Sequence, residues 1–413
     1  MRVLLIDVYN YNKGGAETVC FNTGKLLEQM GHEVIYFTLK WDKNLPSPFE
    51  KYFPESKETR KGLFKHFHNL INYFYYQDAA RKIEQLIIDY KPDIAHIHLM
   101  WGQISPSIFP VLKKHNIPIV FTIHDYRIIC PAYAFRNGKG EVCETCQGKY
   151  FYKCFTNKCT KGSYFLSSIM ASEQYFRNVF FNPSKYIDGL IYVSNFARTL
   201  HDKYMPALNN KPNIVLHNFT KQYEKSELKK ELKDKYYLFF GRLSPEKGLK
   251  TLIEAFKIRN DLRLKIVGTG PMERELKAST QSHNIQLLGY KSGDELKKII
   301  QDAHFSVVPS EWYEKNPMSI MESYSLGVPI IASDIGGIPE IIEDFKTGFV
   351  FKTGNVDDLL DKLKRAEALS ESSYTQMINN VLEYSNKKFN PNIYVDQLID
   401  FYNDVFLSYN KKS

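Results

Sequence analysis

Across 413 residues no stretch comes near the ~20 consecutive apolar residues that a helical membrane span needs. There is no short-period repeat and no low-complexity tract, which sets aside solenoids and fibrous chains. No Asp-x-Asp is present to hold a divalent ion between carboxylates. No complete G-x-G-x-x-G opens a helix, so a dinucleotide cofactor has no cradle. His96, His98 and His124 have no neighbouring Ser or Cys that would complete a nucleophilic triad. Cysteine is scarce: of six, five fall between residues 130 and 159, and Cys20 stands alone in a predicted helix. The opening residues, Arg2 to Val8, carry charge too soon for a secretory leader and read as a first strand. A cytoplasmic chain is therefore expected, and disulfides are not.

What is present has the balance of an ordinary globular enzyme, 43% hydrophobic and 24% charged. The length suits two α/β domains of about 200 residues each better than one core. Charge is unevenly placed: residues 1–219 hold 27 Lys/Arg against 18 Asp/Glu, and residues 220–413 hold 28 against 28. The whole excess of +9 lies in the first half. A surface of that sign suits anionic lipids, phosphorylated ligands or nucleic acid, and equally serves solubility. No nucleic-acid-binding module accompanies it, so nucleic acid is not an expected partner.

Apolar strand-like runs alternate with helical stretches over 2–8, 16–30, 33–39, 77–90, 94–99, 117–123 and 189–193, the signature of parallel βαβ units. The alternation restarts after residue 235 with strands at Tyr236–Phe240, Arg263–Val267, Ile285–Leu288, Phe305–Val308 and Pro329–Ala332. Helices are predicted between them at Leu249–Ile258, Met272–Thr280, Glu295–Gln301 and Met318–Leu326. The polar stretch from Lys221 to Lys235 reads as linker plus helix, and Val356–Tyr409 as a helical tail broken by Pro391. The expected fold class is thus α/β: two Rossmann-like, doubly wound domains that face each other across a cleft. Residues 1–219 form the first, residues 220–389 the second, and a helix over 390–413 packs back on the first. Ligands then bind at the carboxyl ends of the strands.

The first strand runs into Tyr9-Asn10-Tyr11-Asn12-Lys13-Gly14-Gly15-Ala16-Glu17, where Gly14 and Gly15 can bring backbone amides up to a phosphate or can simply make a turn. In the second half a strand ends in Gly241-Arg242-Leu243 with Lys247 just beyond, two cations able to neutralise a leaving diphosphate without a metal. Gly268-Thr269-Gly270-Pro271 turns at the same sheet edge. Then Glu314 precedes Asn316-Pro317-Met318-Ser319, a helix start, and Glu322 lies inside that helix, where a carboxylate can grip two vicinal hydroxyls. His124 closes the apolar strand Ile117–Ile123, where an α/β ligand site is expected, with His96 and His98 read as core or cleft lining.

With Gly14-Gly15-Ala16-Glu17, His124-Asp125-Tyr126, Gly241-Arg242-Leu243 and Lys247, Gly268-Thr269-Gly270-Pro271, and Glu314-x7-Glu322 in this order, nearly the whole chain resembles the family-4 retaining glycosyltransferases of the GT-B fold. The resemblance implies that Arg242 and Lys247 hold the donor diphosphate and Glu322 the ribose. Glu314 lies near the transferred sugar, and His124 meets its hydroxymethyl end. Gly14, Gly15, Gly241, Gly268, Gly270, Asn316, Met318 and Ser319 complete the donor site. Asn316-Pro317 departs from the Phe-Gly or similar pair of many members, at a place that bears on which sugar is carried. The function implied is transfer, with retention, of a hexose from a UDP- or GDP-sugar to a lipid-linked or saccharide acceptor in surface-polysaccharide synthesis. The alternative is a nucleotide-sugar epimerase or an inactive relative of the same fold.

Cys143-x2-Cys146-x7-Cys154-x4-Cys159 has the density of a structural zinc site, with free thiols as the alternative and the part of Cys130 left open. Four thiolates leave no open position, so such a zinc would order a loop and take no part in chemistry; no catalytic metal is expected. Lys57–Tyr76 mixes basic and aromatic residues as a membrane-surface helix does, or as a helix packed on its own domain does. The resemblance favours the anionic inner face of the membrane.

Overall fold

Each half of the chain is built on a six-stranded, wholly parallel sheet. The computed structural model describes residues 1–11, 13–56, 65–224, 235–280 and 282–411. Compact unit 1 is Met1–Leu216 together with the segment from Tyr394 onward, and unit 2 is His217–Ile393. In unit 1 the strands are β1 (Arg2–Ile6), β2 (Glu33–Phe37), β3 (Ile94–Ile97), β4 (Ile119–Ile123), β5 (Gly189–Tyr192) and β6 (Asn213–Val215), ordered β2-β1-β3-β4-β5-β6. Unit 2 holds β7 (Tyr237–Phe240), β8 (Leu264–Val267), β9 (Ile285–Gly289), β10 (Phe305–Val308), β11 (Ile330–Ser333) and β12 (Gly348–Phe351), ordered β12-β11-β10-β7-β8-β9.

A parallel sheet covered on both faces needs strands that are apolar throughout, and the central strands are: β4, β5, β7, β10 and β11 are buried at every position. Alternate residues still feed different cores. Tyr237 and Phe239 join one apolar cluster of unit 2, while Leu238 and Phe240 join another. Helix Gln77–Tyr90 buries Ala79, Ala80, Ile83, Leu86 and Ile87, one helical face, and stops where Lys91 turns left-handed at φ 47°.

The order of unit 2 is that of a Rossmann sheet, with its topological switch between β7 and β10; in unit 1 the switch lies between β1 and β3. The tail is three helices, Val356–Glu367, Glu371–Lys388 and Pro391–Asn410. Pro391 opens the third, because a proline lacks only an N–H that the first turn leaves unused. That helix packs on the unit 1 sheet: a Cβ on Gly189 of β5 would lie 2.5 Å from the Val405 side chain. Among the described residues no helix is long and apolar enough to cross a membrane. Residues 225–234 of the predicted linker fall outside the described residues, as do Lys57, Arg60, Lys61 and Phe64 of the basic aromatic segment. Of that segment, Lys65–Phe74 is a helix; Tyr73 is buried, Phe74 packs on Phe176 at 5.5 Å, and Leu70, Ile71 and Tyr75 are exposed.

Candidate functional site

At the unit 2 switch point the loops after β7 and β10 interlock. Lys247 closes a short turn, Pro245–Lys247, and Gly248 follows at φ 68° with its Cα against the Pro309 carbonyl; a Cβ there would lie 1.7 Å from that oxygen. Only glycine allows this approach. The contact sets Lys247 beside the β10 loop, where its Nζ donates to Glu314 Oε1 at 2.5 Å. Ser310 Oγ donates to the same oxygen at 2.8 Å. Behind Glu314 the backbone is fixed by Gly337 N–H, which donates to Glu314 O at 2.7 Å, and by Gly336, where a Cβ would lie 2.2 Å from that same oxygen.

Burial alone would raise the Glu314 carboxyl, but the adjacent Lys247 ammonium, helped by Trp312 and Lys315, outweighs it and holds the group below the usual carboxylate range. Glu314 is therefore an ionised, buried carboxylate, with the Lys247 ammonium in hydrogen-bond contact. Arg242, on the loop just after β7, is exposed and has no side-chain partner among the described residues. The turn holding Gly268 and Gly270 packs against that loop, with Leu243 N–H donating to Thr269 O at 2.9 Å and Met272 N–H to Leu243 O at 3.0 Å.

Helix Met318–Ser325 starts after Pro317 and presents the backbone amides of Met318 and Ser319 in its first turn. Glu322, one turn in, is half-buried, and burial raises its carboxyl to about 7. Asn316 is turned elsewhere: its Oδ1 accepts from Asn218 N–H at 2.8 Å, and Asn218 Nδ2 donates to Asn316 O at 3.3 Å. Its side chain ties the segment just past the unit boundary to the Glu314 loop.

The remaining predicted residues belong to unit 1. Gly14 and Gly15 are exposed at the start of helix Gly15–Gln29, with Thr18 N–H donating to Gly14 O at 3.0 Å. Beneath this turn Asp7 is buried and its carboxyl is raised well above the usual range, by burial first and by Glu17 second. His124 follows β4 and meets a second histidine: His98 Nδ1 and His124 Nε2 are 2.9 Å apart.

The description Glycosyltransferase Family 4 matches residues 13–219, and Glycosyl transferases group 1 matches residues 220–383. This chain belongs to glycosyltransferase family 4. The family-4 chain is 25% identical over 368 residues to an uncharacterised glycosyltransferase, MJ1178, of Methanocaldococcus jannaschii, covering 88% of this chain and 87% of that one. Over 168 residues, 34% of this chain and 41% of the other, it is 27% identical to WcaL of Escherichia coli, a putative colanic acid biosynthesis glycosyltransferase by its description. Among solved structures, Anabaena HepE in complex with UDP superposes with a TM-score of 0.63 at 14% identity, over 98% of this chain and all of that one. The fold is accordingly GT-B, two Rossmann-like units.

In this family-4 glycosyltransferase the structure brings Lys247 to Glu314 and sets the Arg242 and Gly268–Gly270 loops side by side. Sequence reasoning missed Ser310, whose only signal was its place four residues before Glu314, and His98, set aside as lining. Burial first, and neighbouring thiols after it, raise the Cys130 thiol to about 11 and the Cys146 thiol to about 12. Among the described residues no three His, Cys, Asp or Glu groups are arranged to hold a metal ion. Cys143 Sγ instead faces Thr145 Oγ1 at 3.2 Å and Asn157 Nδ2 at 3.7 Å. The lobe is anchored by other contacts, including Glu144 to Lys203 at 2.9 Å and Gly138 N–H to Asn157 O at 2.8 Å.

Proposed function

We propose that this glycosyltransferase moves a hexose from a UDP- or GDP-sugar to a lipid-linked or saccharide acceptor, with retention at the anomeric carbon, in surface-polysaccharide assembly. The observation that carries the reading is the Lys247–Glu314 pair at the unit 2 switch point, with Arg242 exposed on the neighbouring loop. As the bond from the sugar to the diphosphate breaks, negative charge grows on the leaving phosphate. Arg242, Lys247 and the first-turn amides of Met318 and Ser319 meet it. The ring left behind is cationic in character, and an ionised Glu314 stabilises it. The acceptor oxygen attacks from the face the diphosphate leaves, and its proton passes to the departing phosphate oxygen. Glu322 accepts from the ribose hydroxyls, and His124 meets the hydroxymethyl end of the sugar. HepE, solved with UDP and with UDP-glucose, supports a nucleotide-sugar donor, and the description of WcaL supports a polysaccharide product.

A panel of UDP- and GDP-hexoses tests this, each incubated with and without lipid-linked and free saccharide acceptors. Nucleoside diphosphate release that requires acceptor is the expected result. Conversion of a donor to its isomer without acceptor would replace transfer by epimerisation, a reading that nothing in the comparisons supports.

Two finer features belong to the same reading. From residue 145 to residue 172 there is no Asp or Glu, while Lys149, Lys153, Lys158 and Lys161 alternate with the exposed Tyr150, Tyr152, Phe155, Tyr164 and Phe165. Such a surface suits an anionic membrane. Sedimentation with phosphatidylglycerol vesicles, lost on replacing the four lysines, is the expected result, and equal sedimentation with neutral vesicles would overturn it. The second is a structural zinc on Cys143, Cys146, Cys154 and Cys159, which requires Cys143 to leave Thr145. Elemental analysis should find close to one zinc per chain; zinc-free protein with four titratable thiols would remove it.

A further inference from the structure

β3 and β4 run in parallel with His96 opposite Val120, and side chains two apart share a face. His96 and His98 therefore face the same way as Thr122 and His124, and the bonds between them repeat with one offset. His96 Nε2 lies 2.6 Å from Thr122 Oγ1, and His98 Nδ1 lies 2.9 Å from His124 Nε2. The C-terminal helix closes the far end, with Tyr402 Oη 2.6 Å from His96 Nδ1. The three rings are in contact in sequence, His96 to His98 at 4.1 Å between centroids and His98 to His124 at 5.1 Å and nearly coplanar. His96 and His98 are inaccessible to solvent.

Between His98 Nδ1 and His124 Nε2 there is room for one proton. If His124 donates it, His98 accepts at Nδ1 and must carry its own proton on Nε2. That nitrogen is buried and has no partner among the described residues, so the arrangement would bury an orphaned N–H. If His98 donates, its Nε2 is left as a bare acceptor, and orphaned donors are the rarer fault in folded proteins. Burial favours neutral rings here, driving His98 well below its ordinary value and His96 down to about 3. Donation by His98 fills the Nε2 lone pair of His124, which then carries its proton on Nδ1.

We infer that His98 is a positioning residue: its Nδ1–H holds the His124 ring in place as the neutral Nδ1–H tautomer, so that His124 meets the donor sugar as a hydrogen-bond donor. The tautomer follows from the geometry above, while its use on the sugar rests on the transferase reading. The effect is one of orientation, as in other histidines whose second nitrogen is fixed by a neighbour.

The tautomer is read first, without any donor, from the 15N ring shifts of His124 in the native protein. Protonation at Nδ1 is expected, and an Nε2–H signal overturns the inference. Two variants then test the consequence. In His98→Leu the constraint is lost, His124 reverts to the Nε2–H form common in free histidine, and affinity for the bound member of the donor panel falls about tenfold, the ratio given by one neutral hydrogen bond. In His98→Asn the side-chain amide stands where Nδ1 stood, so tautomer and affinity both return to near the native values. Unchanged donor affinity in His98→Leu, or failure of Asn to restore it in a folded variant, overturns the positioning role. A native protein that binds no sugar nucleotide defeats the transferase reading instead, and the 15N result still decides the tautomer.

Discussion

Where β7 and β10 end, unit 2 collects full charges, Lys247 on Glu314 with Arg242 nearby; where β3 and β4 end, unit 1 collects imidazole rings, with burial holding His98 neutral. The difference follows from what each place can solvate. The Lys247 side chain keeps about a quarter of its surface in water, and the Glu314 carboxylate has an ammonium within hydrogen-bond distance, so ions persist there. His98 has no solvent, and its hydrogen-bond partner among the described residues is another imidazole, so an ion there would go uncompensated. One place can stabilise charge that develops during a reaction. The other can only orient.

The sharpest way to break this contrast is to remove a cation. Lys247→Ala and Arg242→Ala should each lower kcat/KM by about 2 kcal/mol or more, the scale of a lost transition-state charge contact. Only Lys247→Ala should also lower the unfolding temperature, because it leaves Glu314 buried without its ammonium while Arg242 has no side-chain partner to lose among the described residues. Acceptor-dependent release of nucleoside diphosphate and thermal unfolding check both halves. Full turnover in either variant, or turnover abolished by a chelator alone, would remove the cations from the chemistry.

Next in size is the response of Glu322 to pH. Burial raises its carboxyl to about 7, so the group gains its charge as pH rises through that value, and the proposed grip on the ribose hydroxyls should strengthen with it. Calorimetric titration with free UDP or GDP should therefore show binding that tightens up to about tenfold from roughly pH 6 to 8, relative to Glu322→Gln measured in parallel. Glu314→Gln should leave that binding alone and lower turnover. Equal binding losses in the two variants would mean that the roles are exchanged.

The smallest effect concerns the frame. Asn316→Leu removes the acceptor of the buried Asn218 N–H and should reduce unfolding free energy by about 1–3 kcal/mol. Chemical denaturation measures it; no change would mean that Asn316 faces substrate more than Asn218.

Much of the scaffold was legible in the chain. Helices Gln77–Tyr90 and Leu249–Ile258 and strand Phe305–Val308 lie where periodicity put them, because each buries a continuous face. β6 was not read: it is three residues long, begins with Asn213 and is only half-buried. Helix Tyr164–Phe180 was hidden differently, since its buried side carries Glu173 and Arg177, joined at 3.0 Å, while Tyr164, Phe165 and Phe180 are exposed. A pattern with charge inside and aromatics outside reverses the usual signal. At the site, Lys247 and Glu314 could be named from motifs, but their 2.5 Å contact depends on Gly248 meeting Pro309, a long-range fact. The His98–His124 contact was illegible for the same reason, since it exists only across two strands.

The chain leaves unit 1 at Leu216 and returns to it at Tyr394, so unit 2 is one unbroken stretch and unit 1 is not. A ribosome delivers residues in order, at about 5–20 per second. Unit 2 can thus be complete in the cell while unit 1 still waits for its last helix. Until Phe401 and Val405 arrive, the face of β5 at Gly189 stays uncovered, and until Tyr402 arrives the His96 ring lacks its outer partner. A stop before Tyr394 would therefore damage the half of the protein that was made first.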